Sequence, residues 1–225
     1  MIISPMNVEY IDHMGSDLSV CQAARVSFDK KSEWEYDLDK AERRLSEADA
    51  KLIRYLVKHD HWSPLAHTSI QIRVKAPIFV ARQLVKHQVG LVWNEVSRRY
   101  VDSEPEFWFP EVWRGRPEGS IKQGSSGEVD LKYEHWQAGH EGAVKICLST
   151  YKHMLASGVA PEQARMILPQ NMMTTWIWTG SLVAFARVCK LRLDPHAQAE
   201  TAEIAQGISD IVGPLFPVSW EALRA

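Results

Sequence analysis

Long apolar runs, grouped cysteines and a strong excess of either charge are all missing from this 225-residue chain. No apolar segment approaches the roughly 20 residues that a transmembrane helix needs. The N-terminus lacks the basic start and small-residue cleavage site of a secretory signal. We therefore expect a cytoplasmic protein with no membrane partner. The net charge of -2 argues against a nucleic-acid-binding module, which would carry a strongly basic face.

Cysteine is scarce as well, since only Cys21, Cys147 and Cys189 are present. The number is odd and the spacing fits no metal site, so we predict no bound metal. Cys147 and Cys189 lie among apolar residues and are expected to be buried thiols. With 45% hydrophobic and 24% charged residues, the composition is that of a globular protein. The length fits a single domain over residues 1–225.

Helix and strand patterns are mixed along the chain. Alternating apolar residues predict a strand at 69–74, and a second alternation predicts one at 97–101. Between them, Pro77 opens a predicted helix whose polar side carries Arg82, Gln83, Lys86 and His87. Further helices are predicted at 38–58, at 142–155, in a short segment from Pro161 through Arg165, and from Asp194-Pro195 to about 212, while residues 182–190 are apolar enough to be buried.

Residues 102–130 differ from the rest of the chain in composition. They are rich in proline and glycine and bring together Phe107, Trp108, Phe109 and Trp113. We predict a long surface loop, because this length exceeds that of an ordinary connection. Its exposed aromatic residues would either cover a site or pack on a partner subunit.

The segment from Arg82 to Tyr100 concentrates positive charge in a chain that is slightly acidic overall. Arg82, Lys86, Arg98 and Arg99 stand there against a single acid, Glu95. Taken alone, such a charge run is typical of a solvated face. Here it is interleaved with Gln83, His87, Asn94 and Ser97, which favours a binding site for an anionic ligand, with phosphate the first candidate.

These residues resemble the signature of the flavin-dependent thymidylate synthases. That signature is Arg-His-Arg, seven or eight residues and then Ser, with Asn-Glu before and Arg-Tyr after that serine. This chain has Lys86-His87-Gln88, eight residues and Ser97, and it departs from the pattern at Lys86 and Gln88. Further blocks are similar to the family in the same order: Ala23-Ala24-Arg25-Val26-Ser27, His61-Trp62-Ser63-Pro64-Leu65-Ala66-His67, residues 74–83, residues 164–169 and residues 191–198.

The resemblance implies a mixed α/β fold with a mixed or antiparallel sheet flanked by helices. It also implies reductive methylation of dUMP to dTMP, with FAD as cofactor and NADPH and 5,10-methylenetetrahydrofolate as co-substrates. The family forms tetramers with active sites shared between chains, so a homo-oligomer is expected. No Gly-x-Gly-x-x-Gly turn is needed, because these enzymes hold FAD without one.

Carried over residue by residue, the resemblance implies three groups of functional residues. Arg192 would stabilise negative charge near N3 of the uracil and is the catalytic candidate. The candidates for FAD binding are Ser63, Lys86, His87, Gln88, Glu95, Ser181, Leu182, Val183 and Arg187. The candidates for dUMP binding are Gln83, Lys86, Glu95, Val96, Ser97, Arg98, Arg99, Arg165 and Arg192.

Other interpretations compete with this one. Because of Lys86 and Gln88, the chain could be a nucleotide- or flavin-binding relative without turnover. His59-Asp60, with His61 and His67, could instead belong to a metal-dependent nucleotide phosphohydrolase. By themselves, Arg165 and Arg192 would be read as members of structural ion pairs.

Overall fold

The computed structural model describes residues 1–37, 41–117, 124–129 and 133–225. Numbered in chain order, its helices and strands are β1 (Ile2–Ile3), β2 (Asn7–Met14), α1 (Asp17–Arg25), β3 (Glu35–Asp37), β4 (Glu42–Arg44), α2 (Glu47–Lys58), β5 (Ser69–Pro77), α3 (Ile78–Leu84), β6 (Leu91–Glu95), β7 (Glu106–Phe107), α4 (Tyr133–Ala156), α5 (Pro161–Ala164), β8 (Met173–Gly180), α6 (Leu182–Arg192), α7 (Ala199–Leu215) and α8 (Pro217–Arg224). Short 3-10 helices lie at Val26–Phe28, Ser63–His67 and Arg165–Ile167. In the part of the chain so described, no helix is long and apolar enough to cross a membrane.

An antiparallel sheet in the order β2-β5-β8-β6 forms the centre of the fold. Side chains alternate between the two faces of a strand, so each strand presents one apolar row to the core. Val74 of β5 and Trp176 of β8 face each other in register and are both buried. Trp93 of β6 stacks on Trp176 with ring centroids 4.1 Å apart. The expected antiparallel sheet and the strand predicted at 69–74 are both confirmed.

Helices α1, α2, α3, α6, α7 and α8 form the main core together with the apolar face of the sheet. Helix α6 is the most buried of them, with seven of its eleven residues inside, as the apolar run predicted. Cys21 and Cys189 lie in this core, where burial raises the pKa of each thiol to about 12. Cys147 is half-buried, so the prediction of a buried thiol was too strong there.

Three predicted helix starts were wrong, and one is that of the helix predicted at 142–155, since α4 already begins at Tyr133. Helix α2 begins at Glu47 because the Ser46 hydroxyl accepts from the Asp49 N–H at 3.1 Å. Upstream of it, β4 pairs with β3, and residues 38–40 lie outside the described residues. Asp194 does not cap a helix either. Its carboxylate accepts from the His196 N–H at 2.8 Å in a local turn, and α7 begins only at Ala199.

The signature segment also differs from its prediction. Helix α3 ends at Leu84, so Lys86 and His87 lie in the turn that follows it. The second strand runs from Leu91 to Glu95, whereas residues 97–100 form a turn. The last backbone bond to β8 runs from the Val96 N–H to the Thr175 carbonyl at 2.9 Å, after which the Tyr100 N–H bonds to the Ser97 carbonyl at 3.0 Å and closes the turn.

The segment from 102 to 130 is less open than predicted where the structure describes it. Strand β7 pairs with β1, and Phe107 is fully buried. Trp108, Phe109 and Trp113 are half-buried, because Trp108 packs on Phe79 and the other two pack on His140. The expectation of exposed aromatic residues was therefore wrong. Residues 118–123 and 130 of the predicted loop lie outside the described ranges.

Candidate functional site

The turn that carries Lys86, His87 and Gln88 is attached to the start of α6. Gly90, with φ +76°, ends this turn, and its carbonyl accepts from the Ser181 N–H at 3.3 Å. This close contact between the turn and the start of α6 also requires glycine at position 180, since a Cβ there would lie only 2.7 Å from the Gly90 oxygen. The 3-10 helix that contains Ser63 joins the same group, because the Thr68 hydroxyl just after it accepts from the Leu182 N–H at 3.3 Å. Three of the segments predicted to bind FAD are thus brought together.

The side chains in this group are unequally available to a ligand. Lys86, Gln88 and Ser63 are exposed, and His87 is half-buried. Leu182 and Val183 are buried in the core, so contacts from them would be mainly through the backbone. Ser181 caps α6 by accepting from the Ala184 N–H at 3.4 Å.

Arg192, at the last position of α6, meets His87 across the fold. Its Nε donates to His87 Nε2 at 3.0 Å, which places the imidazole proton on Nδ1. Burial, and then the charge of Arg192, lower the pKa of His87 below its ordinary value of 6.5. The neutral imidazole therefore holds Arg192 through Nε, and the two terminal guanidinium nitrogens of Arg192 remain available to a ligand. Burial also lowers the pKa of Arg192 itself.

A cavity of about 980 Å³ opens beside Arg192 and Gln83. Its aromatic lining includes Phe79 and Trp108, with ring centroids 5.8 Å apart. Asn171 donates to the Trp108 carbonyl at 2.8 Å, which leaves its own Oδ1 without a partner among the described residues. An apolar cavity with a few converging polar groups is the usual form of a small-molecule site.

A partly buried ion pair between Arg114 and Glu200 closes one side of this cavity. Burial alone would raise the pKa of the Glu200 carboxyl, but the hydrogen bond from Arg114 holds it below its usual value. The second oxygen of Glu200 accepts from Gln198 at 3.1 Å. Both oxygens are therefore engaged within the chain.

A second cavity, of about 270 Å³, is lined by Glu95, Val96, Arg98 and Arg165. The Thr174 hydroxyl donates to Glu95 at 2.7 Å, and Trp93 Nε1 donates to its other oxygen at 3.2 Å. Arg98 donates to the Ser103 carbonyl, and Arg165 Nε donates to the Glu162 carbonyl at 3.2 Å. These two arginines thus retain unused donors beside the cavity.

Ser97 and Arg99 lie in the turn after β6, where Ser97 is half-buried and Arg99 is exposed, and neither lines the two cavities. The Ser97 hydroxyl accepts from the backbone N–H of Arg99 at 3.3 Å and from its Nε at 3.2 Å. The Arg99 guanidinium lies 5.0 Å from the centroid of the Tyr100 ring. Within the residues that the structure describes, Arg99, Arg165 and Arg192 form no ion pair, which weighs against the interpretation of Arg165 and Arg192 as structural ion-pair members.

The residues predicted to bind dUMP therefore fall into two groups within one chain. Gln83 and Arg192 line the large cavity, whereas Glu95, Val96, Arg98 and Arg165 line the smaller one. The segment from Leu168 to Met172 separates them, since its central residues line the first cavity and its ends line the second. Lys86, Ser97 and Arg99 line neither.

A third cavity, of about 180 Å³, lies where Arg187 and Lys190 of α6 face His61 and Trp62. Both cations are exposed and form no ion pair among the described residues, and Trp62 is 52% exposed. Nearby, the rings of His59 and His61 are 6.4 Å apart. No group of three or more metal-ligating side chains forms anywhere in the described ranges.

Sequence reasoning missed several of these side chains. Arg114 and Glu200 belong to segments with no recognised motif, and only the fold brings them to the large cavity. Thr201 does not line the cavity but bonds to Gln83, which does. Lys190 could have been found, because it follows Arg187 by three residues and therefore shares its helix face.

Comparison with known proteins gives a consistent result. The model of the family described as thymidylate synthase complementing protein matches residues 9–218. A flavin-dependent thymidylate synthase of Thermus thermophilus is 37% identical over 217 residues, covering 96% of this chain and 75% of the relative. The enzyme of the same name from Kosmotoga olearia is also 37% identical over 217 residues, covering 96% and 88%.

A solved structure extends the likeness to three dimensions. The UMP/dUMP methylase PolB from Streptomyces cacaoi, bound with 5-Br dUMP, superposes with a TM-score of 0.83 at 29% identity. The match covers 98% of this chain and 95% of the other. Since the family model spans most of the sequence and the curated relatives exceed 30% identity, this chain belongs to the thymidylate synthase complementing protein family.

Proposed function

We propose that this protein is a cytoplasmic flavin-dependent thymidylate synthase, a methyltransferase that converts dUMP to dTMP. It takes the one-carbon unit from 5,10-methylenetetrahydrofolate and reducing equivalents from NADPH. The observation that carries the proposal is Arg192, held by a neutral His87 at the edge of a cavity that Gln83 also lines. A preorganised cation at this place stabilises negative charge on a pyrimidine ring without reorganising during the reaction.

The residues near α6 fit a flavin dinucleotide. A pyrophosphate needs cations, and Lys86, Arg187 and Lys190 are exposed without ion pairs among the described residues. A planar ring needs an aromatic surface, and Trp62 provides one. His87, Gln88, Ser63, Glu95 and the backbone at 181–183 complete the proposed contacts. When bound, FAD supplies the redox chemistry of the reaction, while the protein supplies position and charge.

The nucleotide would be held at both ends. Arg98, Arg99 and Arg165 offer guanidinium donors, which match the geometry of a phosphate dianion. Close to Arg98 and Arg99 in the sequence are Lys86, Val96, Ser97 and the backbone N–H groups of the Ser97 turn. We propose these as further contacts to the nucleotide. At the other end, Arg192 and Gln83 would meet the uracil ring.

The separation of these two groups supports a homo-oligomer, which we propose to be a tetramer with shared active sites. If one chain supplies Arg192 and its neighbour supplies Arg99, each site is complete only in the assembly. Co-expression of Arg192→Ala chains with Arg99→Ala chains tests this. Random assortment leaves both residues intact in about a quarter of the sites, so that fraction of activity should return. No recovery would mean that each site is built within one chain.

The activity itself is tested with FAD-loaded protein. Addition of dUMP should shift the visible spectrum of the flavin, and dTMP should form when both co-substrates are present. A spectral shift without dTMP would identify a binding relative that lacks turnover, the alternative that Lys86 and Gln88 suggest. UMP assayed in parallel shows whether the sugar hydroxyl is accepted, as the name of the PolB methylase indicates for that protein.

A further inference from the structure

The Gln83 side chain is held by a residue outside every motif of the sequence. Thr201, on the first turn of α7, is fully buried, and its hydroxyl donates to Gln83 Oε1. Gln83 is half-buried near the end of α3 and lines the large cavity beside Arg192. The contact joins residues that are 118 positions apart, so it is a product of the fold.

This bond decides what the amide offers to a ligand. A glutamine side chain has an acceptor oxygen and a donor nitrogen that are nearly equal in shape, so either can face a cavity. With Oε1 held by Thr201, Nε2 is the atom left for the cavity. Arg192 also presents only donors, because a guanidinium has no acceptor atom, and its terminal nitrogens remain after Nε is used by His87. The carboxylate next to Thr201, Glu200, has both oxygens occupied by Arg114 and Gln198.

A ligand arriving between Gln83 and Arg192 therefore meets hydrogen-bond donors. We propose that Thr201 is a positioning residue that keeps Nε2 of Gln83 directed at an acceptor oxygen of the bound nucleotide. The inference rests on the proposed function, since it takes dUMP as the ligand. Either a carbonyl oxygen of the base or a phosphate oxygen has the required chemistry. Without the hydroxyl, the amide can turn over and set its own oxygen against that acceptor.

The test compares Thr201→Val with Thr201→Ser in FAD-loaded protein. Valine keeps the shape and removes the hydroxyl, whereas serine retains it. We expect Thr201→Val to weaken dUMP binding about tenfold, the effect of losing one well-formed hydrogen bond. Thr201→Ser should bind dUMP as the parent does, and the affinity for FAD should stay unchanged in both variants. Deoxyuridine separates the two acceptors, because valine weakens its binding only if Gln83 contacts the base.

Ser209→Ala is the matched control, since Ser209 is a hydroxyl on the same helix that accepts from Trp220 Nε1 at 3.0 Å. It should leave the Kd for dUMP unchanged. A double-mutant cycle with Gln83→Leu keeps the test independent of folding losses. If Thr201 acts through Gln83, Thr201→Val should weaken dUMP binding no further in the Gln83→Leu background.

Three results would overturn the proposal. They are equal dUMP affinity for the parent and Thr201→Val, an equal loss of FAD and dUMP affinity, and additive effects in the cycle. If the parent protein binds dUMP, none of these three results contradicts the proposed function. A parent that binds FAD but ignores dUMP would contradict the proposed function, and the role of Thr201 would fall with it.

Discussion

The candidate nucleotide contacts beside the large cavity and those in the turn after β6 are held by the protein in opposite ways. Arg192 and Gln83 are half-buried, and each is bonded to a side chain from a distant part of the fold, His87 and Thr201. Ser97 and Arg99 lie in a surface turn after an edge strand and are bonded mainly to each other. The chain thus fixes one end of the proposed ligand by itself, whereas the other end is left open to solvent.

The difference matches the chemistry expected at each end. Stabilising charge on a ring demands a donor placed before the reaction, because reorganisation would cost activation free energy. Capturing a phosphate depends more on charge, which acts over a longer distance and tolerates looser geometry. A surface turn is suited to capturing a phosphate. Because the turn is exposed, a neighbouring chain can also complete this part of the site.

The largest effect is expected from Arg192→Ala. Removing the guanidinium should lower kcat by at least about 100-fold, the usual cost of losing one preorganised donor to a developing charge. FAD affinity should remain close to that of the parent, since the proposed flavin cations Arg187 and Lys190 line the third cavity and not the large one beside Arg192. Steady-state dTMP formation and flavin titration measure the two quantities. Turnover at the parent rate would remove the proposed catalytic role.

Arg99→Ala should act on binding instead of on turnover. Loss of a charge-assisted hydrogen bond of about 1.5–3 kcal/mol weakens dUMP binding roughly 10- to 100-fold. The residual affinity should also depend less on salt than that of the parent, because one phosphate contact is missing. Arg43→Ala, which removes an exposed arginine on β4, is the matched control and should change neither quantity. A fall in kcat with unchanged affinity would contradict the division of roles.

The bond between His87 and Arg192 predicts a loss of activity in acid. The folded pKa of His87 is below 6.5, so the neutral acceptor is favoured in the folded state. This contribution to stability is fully present above pH 6.5 and is lost as the pH falls through the folded pKa. Protonation also places a second cation beside Arg192, so kcat should fall over the same range. His87→Gln, which can accept but does not titrate, should flatten this limb of the pH–rate profile, and an unchanged limb would assign it to another group.

The smallest effect concerns the flavin. Gln88→Arg adds a cation to the exposed turn and should tighten FAD binding severalfold. Arg187→Gln removes a cation from the third cavity and should weaken it by a similar factor. Fluorescence titration of apoprotein with FAD measures both, with Arg43→Gln as the control for a change of net charge. If Gln88→Arg bound FAD no better than the parent, Gln88 would already make a contact that compensates for the missing arginine charge.

Local pattern was enough to predict much of the fold. The alternation in β5 and the apolar run of α6 were read directly from the sequence, because each element buries a face with its own periodicity. Helix boundaries were less predictable. Asp194-Pro195 has the composition of a helix start, yet the Asp194 carboxylate is used in a local turn, and no local signal separates the two outcomes.

The candidate site was predicted only as a set of residues. The signature identified His87 and the block at 191–198 identified Arg192, but their hydrogen bond joins positions 105 residues apart and depends on the position of α6 in the fold. Thr201 carried no signal at all, since an isolated threonine in a helix is commonplace. The division of the dUMP candidates between two cavities was likewise invisible, because it follows from the path of residues 168–172.

Helix α6 links the two ligands that the protein is proposed to bind. Ser181 at its start lies beside the proposed flavin segments, and Arg192 at its end lies at the base cavity. Eleven helical residues span about 16 Å, so this helix fixes the distance between Ser181 and Arg192. Inserting one alanine near its middle would turn Arg192 by about 100° relative to Ser181 and advance it about 1.5 Å. The length of this helix thus fixes how far the proposed flavin contact at Ser181 lies from the guanidinium that is proposed to meet the base.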